Sequence, residues 1–201
     1  KEIIKKKLPI IISTGFLNMK DLHDLNNFIK KYKYKKIAIL KCTSQYPANP
    51  SNLDLYTINF LKNLFNLPIG YSDHTTDDLA PVVAVANGAK IIEKHFTLNK
   101  IQKGADHKIS LEPKEFKNMV NKIRTTEEML GKKVFRINNE IKKKRNMYLR
   151  YLTAKRNIKK GDVLSLDNIG FFRHNRKKSG LEPKYFFHLK SKKSKANFRK
   201  N

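Results

Sequence analysis

Two stretches, PIGYSDHT at Pro68–Thr75 and AKIIEKHFT at Ala89–Thr97, decide how the chain folds. Each is a short apolar run that ends in polar residues, which reads as a buried strand and its exit loop. Between them Leu79–Gly88 is rich in Ala and Val and closes on a glycine, the pattern of a short helix and its C-terminal stop. Strand, helix and strand in that order make a parallel pair joined by a right-handed crossover. Working upstream, Leu53–Asn66 reads as a helix with Leu55, Ile58, Leu61, Leu64 and Phe65 on one side. Before it KIAILKCTS (Lys36–Ser44) is another buried strand, stopped by the prolines of Tyr46–Pro50. An amphipathic helix over Asn18–Tyr34 and a first strand, LPIIIST (Leu8–Thr14), precede that. Downstream, a loop at Leu98–Leu111 leads to a helix over Pro113–Leu130, with Pro at its start and Gly131 after its end. Four strand–helix units in succession specify an α/β fold with parallel strands.

Four such units are half of a TIM (β/α)8 barrel. An open half leaves two sheet edges exposed, so either the sheet is open and doubly wound or residues upstream of Lys1 are missing. The opening KEIIKKK, without an initiator Met, favours a fragment. After Arg145 the texture changes: Tyr151–Phe172 alternates short strands around a Lys160-Gly161-Asp162 turn, with no long helix. The expected organisation is therefore a partial barrel at 1–131, a linker at 132–146 and a small β-rich domain at 147–201. The lysine-rich end from Lys190 is expected to be frayed or cut short.

The 44 Lys and Arg against 17 Asp and Glu give a formal charge of +27, which invites a nucleic-acid reading. The clusters at Lys5–Lys7, Lys142–Arg145, Arg176–Lys178 and Lys190–Lys195 come without a helix-turn-helix, zinc-finger or RNP-like aromatic pattern. Abundant Lys, Asn and Ile fit drift of surface positions in an AT-rich genome, so no nucleic-acid partner is expected. No apolar run approaches the roughly 20 residues that span a bilayer, so no membrane partner is expected either. The single cysteine, Cys42, builds no disulfide framework and suits a reducing compartment. These features lead to the expectation of a soluble cytoplasmic protein.

In a parallel barrel the chemistry sits where strands end, because the loops that follow them converge on one mouth. Here those places are Ser13-Thr14-Gly15, Thr43–Tyr46, Ser72–Thr75, His95–Thr97 and Gly104–His107. His74 and His95 end consecutive strands and so should be neighbours. Two imidazoles with positions left open suit a divalent metal acting as a Lewis acid on a carbonyl; loop histidines bonded to backbone carbonyls would have the same spacing. Side chains alternate along a strand, so Ser72 shares a face with His74, and Glu93 with His95. The Ser72 hydroxyl then becomes a candidate phosphate donor, with Lys41 as a neighbour. Glu93 needs a partner, either the imidazole of a metal ligand or a structural ion pair. Ser13-Thr14-Gly15 could cradle an oxyanion or simply cap a helix. Cys42 reads as a buried thiol.

The stretches YPANPSNLDL, LPIGYSDHT, NGAKIIEKHFTL and GADHKISLEPKEF resemble the sialic acid synthase family, over about Pro9 to Gly131. KKGDVLSLDNI (Lys159–Ile169) is similar to the antifreeze-like (SAF) domain that follows the barrel there. The resemblance implies the second half of a TIM barrel followed by a SAF domain at 147–201. The implied enzyme is a transferase that condenses phosphoenolpyruvate with an N-acetylated hexosamine, such as N-acetylmannosamine, and releases phosphate. It implies His74 and His95 as catalytic residues and as the protein ligands of manganese or magnesium, the cofactor that polarises the sugar aldehyde. Ser13 and Ser72 match serines that hold phosphoenolpyruvate, and Tyr46 and Asp106 match residues facing the amino sugar. Ser44 stands where some members carry a substrate-contacting Asn. Arg173 matches an arginine that reaches the N-acetyl group of the neighbouring subunit in a domain-swapped homodimer, although His174-Asn175 follows it where Pro-Gly is usual.

KCTSQYPA resembles the pseudaminic acid branch and DHKISLEP the sialic and legionaminic branches. The first four barrel strands, with further substrate groups, are not in the sequence, so the fragment alone is expected to be inactive. The alternative readings are a basic nucleic-acid-binding module and a non-catalytic carbohydrate-binding relic of the barrel.

Overall fold

The computed structural model describes residues 2–173 and 180–200. The chain divides into two compact units, Lys1–Lys132 and Lys133–Asn201. The first unit holds α1 (Glu2–Lys5), β1 (Ile10–Ser13), α2 (Met19–Tyr32), β2 (Ile37–Cys42) and α3 (Thr57–Phe65). It continues through β3 (Ile69–Asp73), α4 (Leu79–Ala86), β4 (Ile92–Lys94) and α5 (Pro113–Leu130). The strands lie in the order β1-β2-β3-β4 and every pair is parallel. This is a half-barrel sheet carrying helices, with β1 and β4 as its outer strands.

Local chemistry places the helix ends. Asn18 and Asp21 form a reciprocal capping box: the Asn18 side chain accepts from the Asp21 amide and the Asp21 carboxylate from the Asn18 amide, each at 3.0 Å. The helix ends in a left-handed residue, Lys33, and so stops at Tyr32 short of the expected Tyr34. Glu112 and Glu115 make the same kind of box for α5, with Pro113 in the first turn. The helix expected from Leu53 begins at Thr57, after a single 3-10 turn over Pro50–Asn52.

The strand residues alternate between two faces. Ile37 and Ile39 of β2 and Ile69 and Tyr71 of β3 pack against Leu22, Ile29, Ile58, Leu61, Phe65 and Ala84 in the main core. A second cluster, Val85, Leu111, Met119 and Ile123, joins α4 to α5. The opposite face carries Ile11, 57% exposed, then Ser13, Ser72 and Glu93. That is the face a barrel turns inward.

The second unit holds α6 (Asn139–Tyr148), an antiparallel pair β5 (Arg150–Ala154) and β6 (Ile169–Arg173), and α7 (Phe186–Leu189). Its core is Ile158, Leu164, Ile169 and Phe186. The stretch expected as a linker, 132–146, carries most of α6, started by the Asn138 side chain accepting from the Ile141 amide at 2.8 Å. One expectation is corrected here: the lysine-rich end is not frayed. Ser194 and Asp162 bond through their backbones, as do Leu164 and Lys192, and Ile158 and Phe198 exchange both bonds at 2.8 Å. Backbone pairing depends on apolar anchors such as Ile158 and Leu164, which a count of lysines does not register. Among the described residues no helix is long and apolar enough to cross a membrane.

Candidate active site

The site is built on the turns that follow β3 and β4. His74 is the first residue beyond β3 and His95 the first beyond β4. Their rings lie 5.2 Å apart, centroid to centroid. The His74 ring is buried and its Nδ1 lies 2.9 Å from the Thr43 carbonyl oxygen. A carbonyl can only accept, so Nδ1 carries the proton and Nε2 keeps a free lone pair. In the neutral ring that leaves Nε2 as the nitrogen able to hold a metal, with Nδ1–H fixed on a backbone carbonyl.

The loop after β2 closes over this pair. The Tyr46 ring stacks at 4.1 Å from the His74 ring and stands edge-on, 5.9 Å from the His95 ring. The Ala48 amide donates to the His74 carbonyl at 2.9 Å, which ties the loop to the turn it covers. The Tyr46 phenol is held above its ordinary value, first by lost hydration and then by the negative potential of Cys42, Asp106 and Glu93. On the other flank, Asp106 Oδ2 is 3.9 Å from His95 Nδ1. The loop that presents Asp106 is held by the Leu111 amide on the His95 carbonyl, at 2.9 Å, and by His107 Nδ1 at 2.7 Å from Thr97 Oγ1.

Ser72 and Glu93 face each other in register on β3 and β4, and the Ser72 hydroxyl donates to Glu93 Oε1 at 2.7 Å. Glu93 thus takes a serine hydroxyl, neither an imidazole nor a cation. A recess of about 270 Å3 is lined by Ser72, Asp73, Glu93, Lys94 and His95. Ser13 is exposed at the end of β1. Two residues on, the Ser44 hydroxyl lies close against Gly15, where a Cβ would stand 2.1 Å from Ser44 Oγ. Ser44 Oγ and His74 Nδ1 each lie 4.0 Å from Cys42 Sγ, and that thiol is buried.

Lys41 stands apart from this group. Its ammonium turns to the Cys42 carbonyl and Thr43 Oγ1, both at 3.1 Å, and burial lowers its pKa, partly offset by Asp54 and Cys42. Strand alternation puts it on the helix side, away from Ser72, which corrects the expectation of a phosphate neighbour. Thr14 Oγ1 accepts from the Cys42 amide at 3.3 Å, a tie between β1 and β2. In the second unit Arg173 is exposed at the end of β6, with its guanidinium 5.8 Å from the centroid of the Tyr148 ring. His174, Asn175 and the basic cluster at Arg176–Lys178 lie outside the described residues.

Sequence reasoning passed over one feature. Asp73 and Lys94, each the residue before a histidine, form an ion pair at 2.6 Å whose side chains are fully buried. The signal was available: Ser-Asp-His and Glu-Lys-His put opposite charges at matching places on adjacent strands.

Residues 1–135 match the NeuB family. The chain belongs to the NeuB family. This member is 40% identical over 192 residues to the pseudaminic acid synthase of Campylobacter jejuni serotype O:2, covering 96% of the chain and 55% of that protein. It is 39% identical over 171 residues to the N,N'-diacetyllegionaminic acid synthase of the same organism, covering 84% of the chain and 51% of the relative. Among solved structures it resembles the spore coat polysaccharide biosynthesis protein SpsE of Bacillus subtilis, with 34% identity and a TM-score of 0.60, over 98% of this chain and 60% of that one. The chain spans about half the length of the curated relatives it matches.

Proposed function

We propose that this NeuB-family chain supplies part of the active site of a nonulosonic (sialic-type) acid synthase, which joins phosphoenolpyruvate to an N-acetylated hexosamine. The observation that carries the reading is the ring pair: His74, with Nε2 free by its bond to the Thr43 carbonyl, 5.2 Å from His95. These residues fit a divalent cation, manganese or magnesium. Among the described residues no group of three or more His, Cys, Asp or Glu side chains gathers to hold a metal, so the fit is to two imidazoles with the other positions open. Such an ion supplies Lewis-acid polarisation of a carbonyl, here the aldehyde of the open-chain sugar.

The remaining roles belong to this chain's own groups. Ser13 and Ser72 hold the phosphate or carboxylate of phosphoenolpyruvate. Ser72 must first release Glu93, which exposure leaves free to move. Tyr46, Asp106 and Ser44 face the amino sugar, and Tyr46 screens the two imidazoles from water. Orientation of the two substrates at this mouth contributes much of the rate. The new bond joins C3 of phosphoenolpyruvate to the aldehyde carbon, water adds at C2, and the phosphate leaves with the oxygen that bound it to C2.

The second unit is read as an antifreeze-like domain, supported by KKGDVLSLDNI and by the backbone pairing of its C-terminal end with Ile158–Leu164. In this reading Arg173 completes the neighbouring subunit's site in a domain-swapped homodimer.

The test is a chimaera in which this chain replaces the matching stretch of the Campylobacter jejuni pseudaminic acid synthase. It should release phosphate from phosphoenolpyruvate only when an N-acetylated hexosamine and a divalent cation are present, and His74→Ala should abolish that release. A folded chimaera that releases no phosphate with any such sugar would count against the reading.

A further inference from the structure

Behind the two histidines lies a closed polar network that the proposed chemistry does not use. Asp73 and Lys94 are register partners on β3 and β4, and both side chains have no exposure. They point to the helix layer, while Ser72, His74, Glu93 and His95 point the other way. The Lys94 ammonium donates to Asp73 Oδ2 at 2.6 Å, to Thr75 Oγ1 at 3.3 Å and to the Thr75 carbonyl. Asp73 Oδ1 accepts from the Tyr71 hydroxyl and the Thr75 amide, both at 3.0 Å, and Oδ2 also accepts from Thr75 Oγ1 at 3.0 Å. The ammonium thus spends its three protons and each carboxylate oxygen is doubly bonded.

A buried ion pair is a poor source of stability, because desolvating two charges offsets most of their attraction and apolar side chains of the same volume do as well or better. What it does supply is a fixed relation between two backbones. The network fastens Tyr71 and Asp73 of β3, and Thr75 in the turn after it, to Lys94 of β4, on both sides of His74 and directly before His95. The Ser72–Glu93 bond adds a rung one residue back on the other face. Two successive cross-strand rungs, of opposite facing, therefore set the spacing and rotation of the turns that present the imidazoles.

We propose that the buried Asp73–Lys94 pair, locked by Thr75 and Tyr71, is a positioning device that holds the His74 and His95 rings at the separation one divalent cation needs. The inference rests on the reading of those histidines as a cation site, but the positioning can be measured without the ion. In the metal-free 201-residue chain, isotope-labelled for NMR, the ring protons of His74 and His95 should show a mutual Overhauser effect. The double variant Asp73→Leu/Lys94→Met keeps the volume and removes the network. It should melt close to the parent, lose that effect, and bind Mn2+ at least about tenfold more weakly, the scale seen when groups supporting metal ligands are removed.

In a His95→Ala background, where ring spacing no longer matters, the same double change should leave the already weakened Mn2+ affinity where it was. A double variant that folds and keeps both the Overhauser effect and the affinity overturns the proposal. If the double variant does not fold, Thr75→Val decides: a weakened Overhauser effect with a roughly threefold loss of Mn2+ affinity, the scale of one hydrogen bond, supports it, and no change refutes it. A parent chain that shows the Overhauser effect but binds no Mn2+ removes the cation reading and leaves the positioning standing.

Discussion

The two faces of the four-stranded sheet use alternate residues of the same strands, yet one is built for cohesion and the other for contact. On the helix side Ile37, Ile39, Ile69 and Tyr71 are almost wholly covered and meet apolar helix residues. On the other side Ser13, Ser72, Glu93 and the two histidines flank the buried apolar Ala38, Leu40 and Cys42 of β2, so polar groups gather at the strand ends of that face. Strand alternation makes this division nearly free: a substitution on one face is separated from the other by a backbone. The exceptions are instructive. Lys41, Asp73 and Lys94 are charged residues on the cohesive face, and Asp73 and Lys94 bond each other there with both side chains fully buried.

That division can be broken in graded ways. The largest expected effect is on stability. Ile39 has no exposure at the centre of the main core, and Ile39→Ala should cost about 2–5 kcal/mol in urea unfolding of the chain followed by circular dichroism. Its Mn2+ affinity, measured where the variant is still folded, should be unchanged; a parallel loss of affinity would mean that the faces are not independent. Ser72→Ala sharpens the contrast from the other side. It removes a hydroxyl whose partner, Glu93, is exposed, so the melting temperature should hardly move. In the chimaera with the Campylobacter jejuni relative, phosphoenolpyruvate affinity should fall by about 1.5–3 kcal/mol, the scale of a hydrogen bond to a charged group. Unchanged affinity would leave Ser72 as no more than a partner of Glu93.

Much of this was legible in the residues. The strand runs and their polar ends gave the parallel order, and consecutive strand ends put His74 next to His95. The helix limits were blurred because capping, at Asn18, and left-handed stops, at Lys33 and Asn66, decide them one residue at a time. Lys41 falls on the helix side because it shares its parity on β2 with Ile37 and Ile39, a point that its closeness in sequence to the strand end conceals. The Asp73–Lys94 pair went unread because a charge inside a strand looks like surface until its register partner is known. In the second unit the lysine-rich end hid its pairing, since backbone bonds are blind to side-chain charge.

The proposed site has His74 and His95 hold one cation between them, and Mn2+ binding to the 201-residue chain can be followed by electron paramagnetic resonance. One ion per chain is expected, with affinity strongly weakened on His74→Ala and weakened to the same degree on His95→Ala, because in this reading each ring supplies one of the two protein ligands. Binding that survives either substitution unchanged would contradict it.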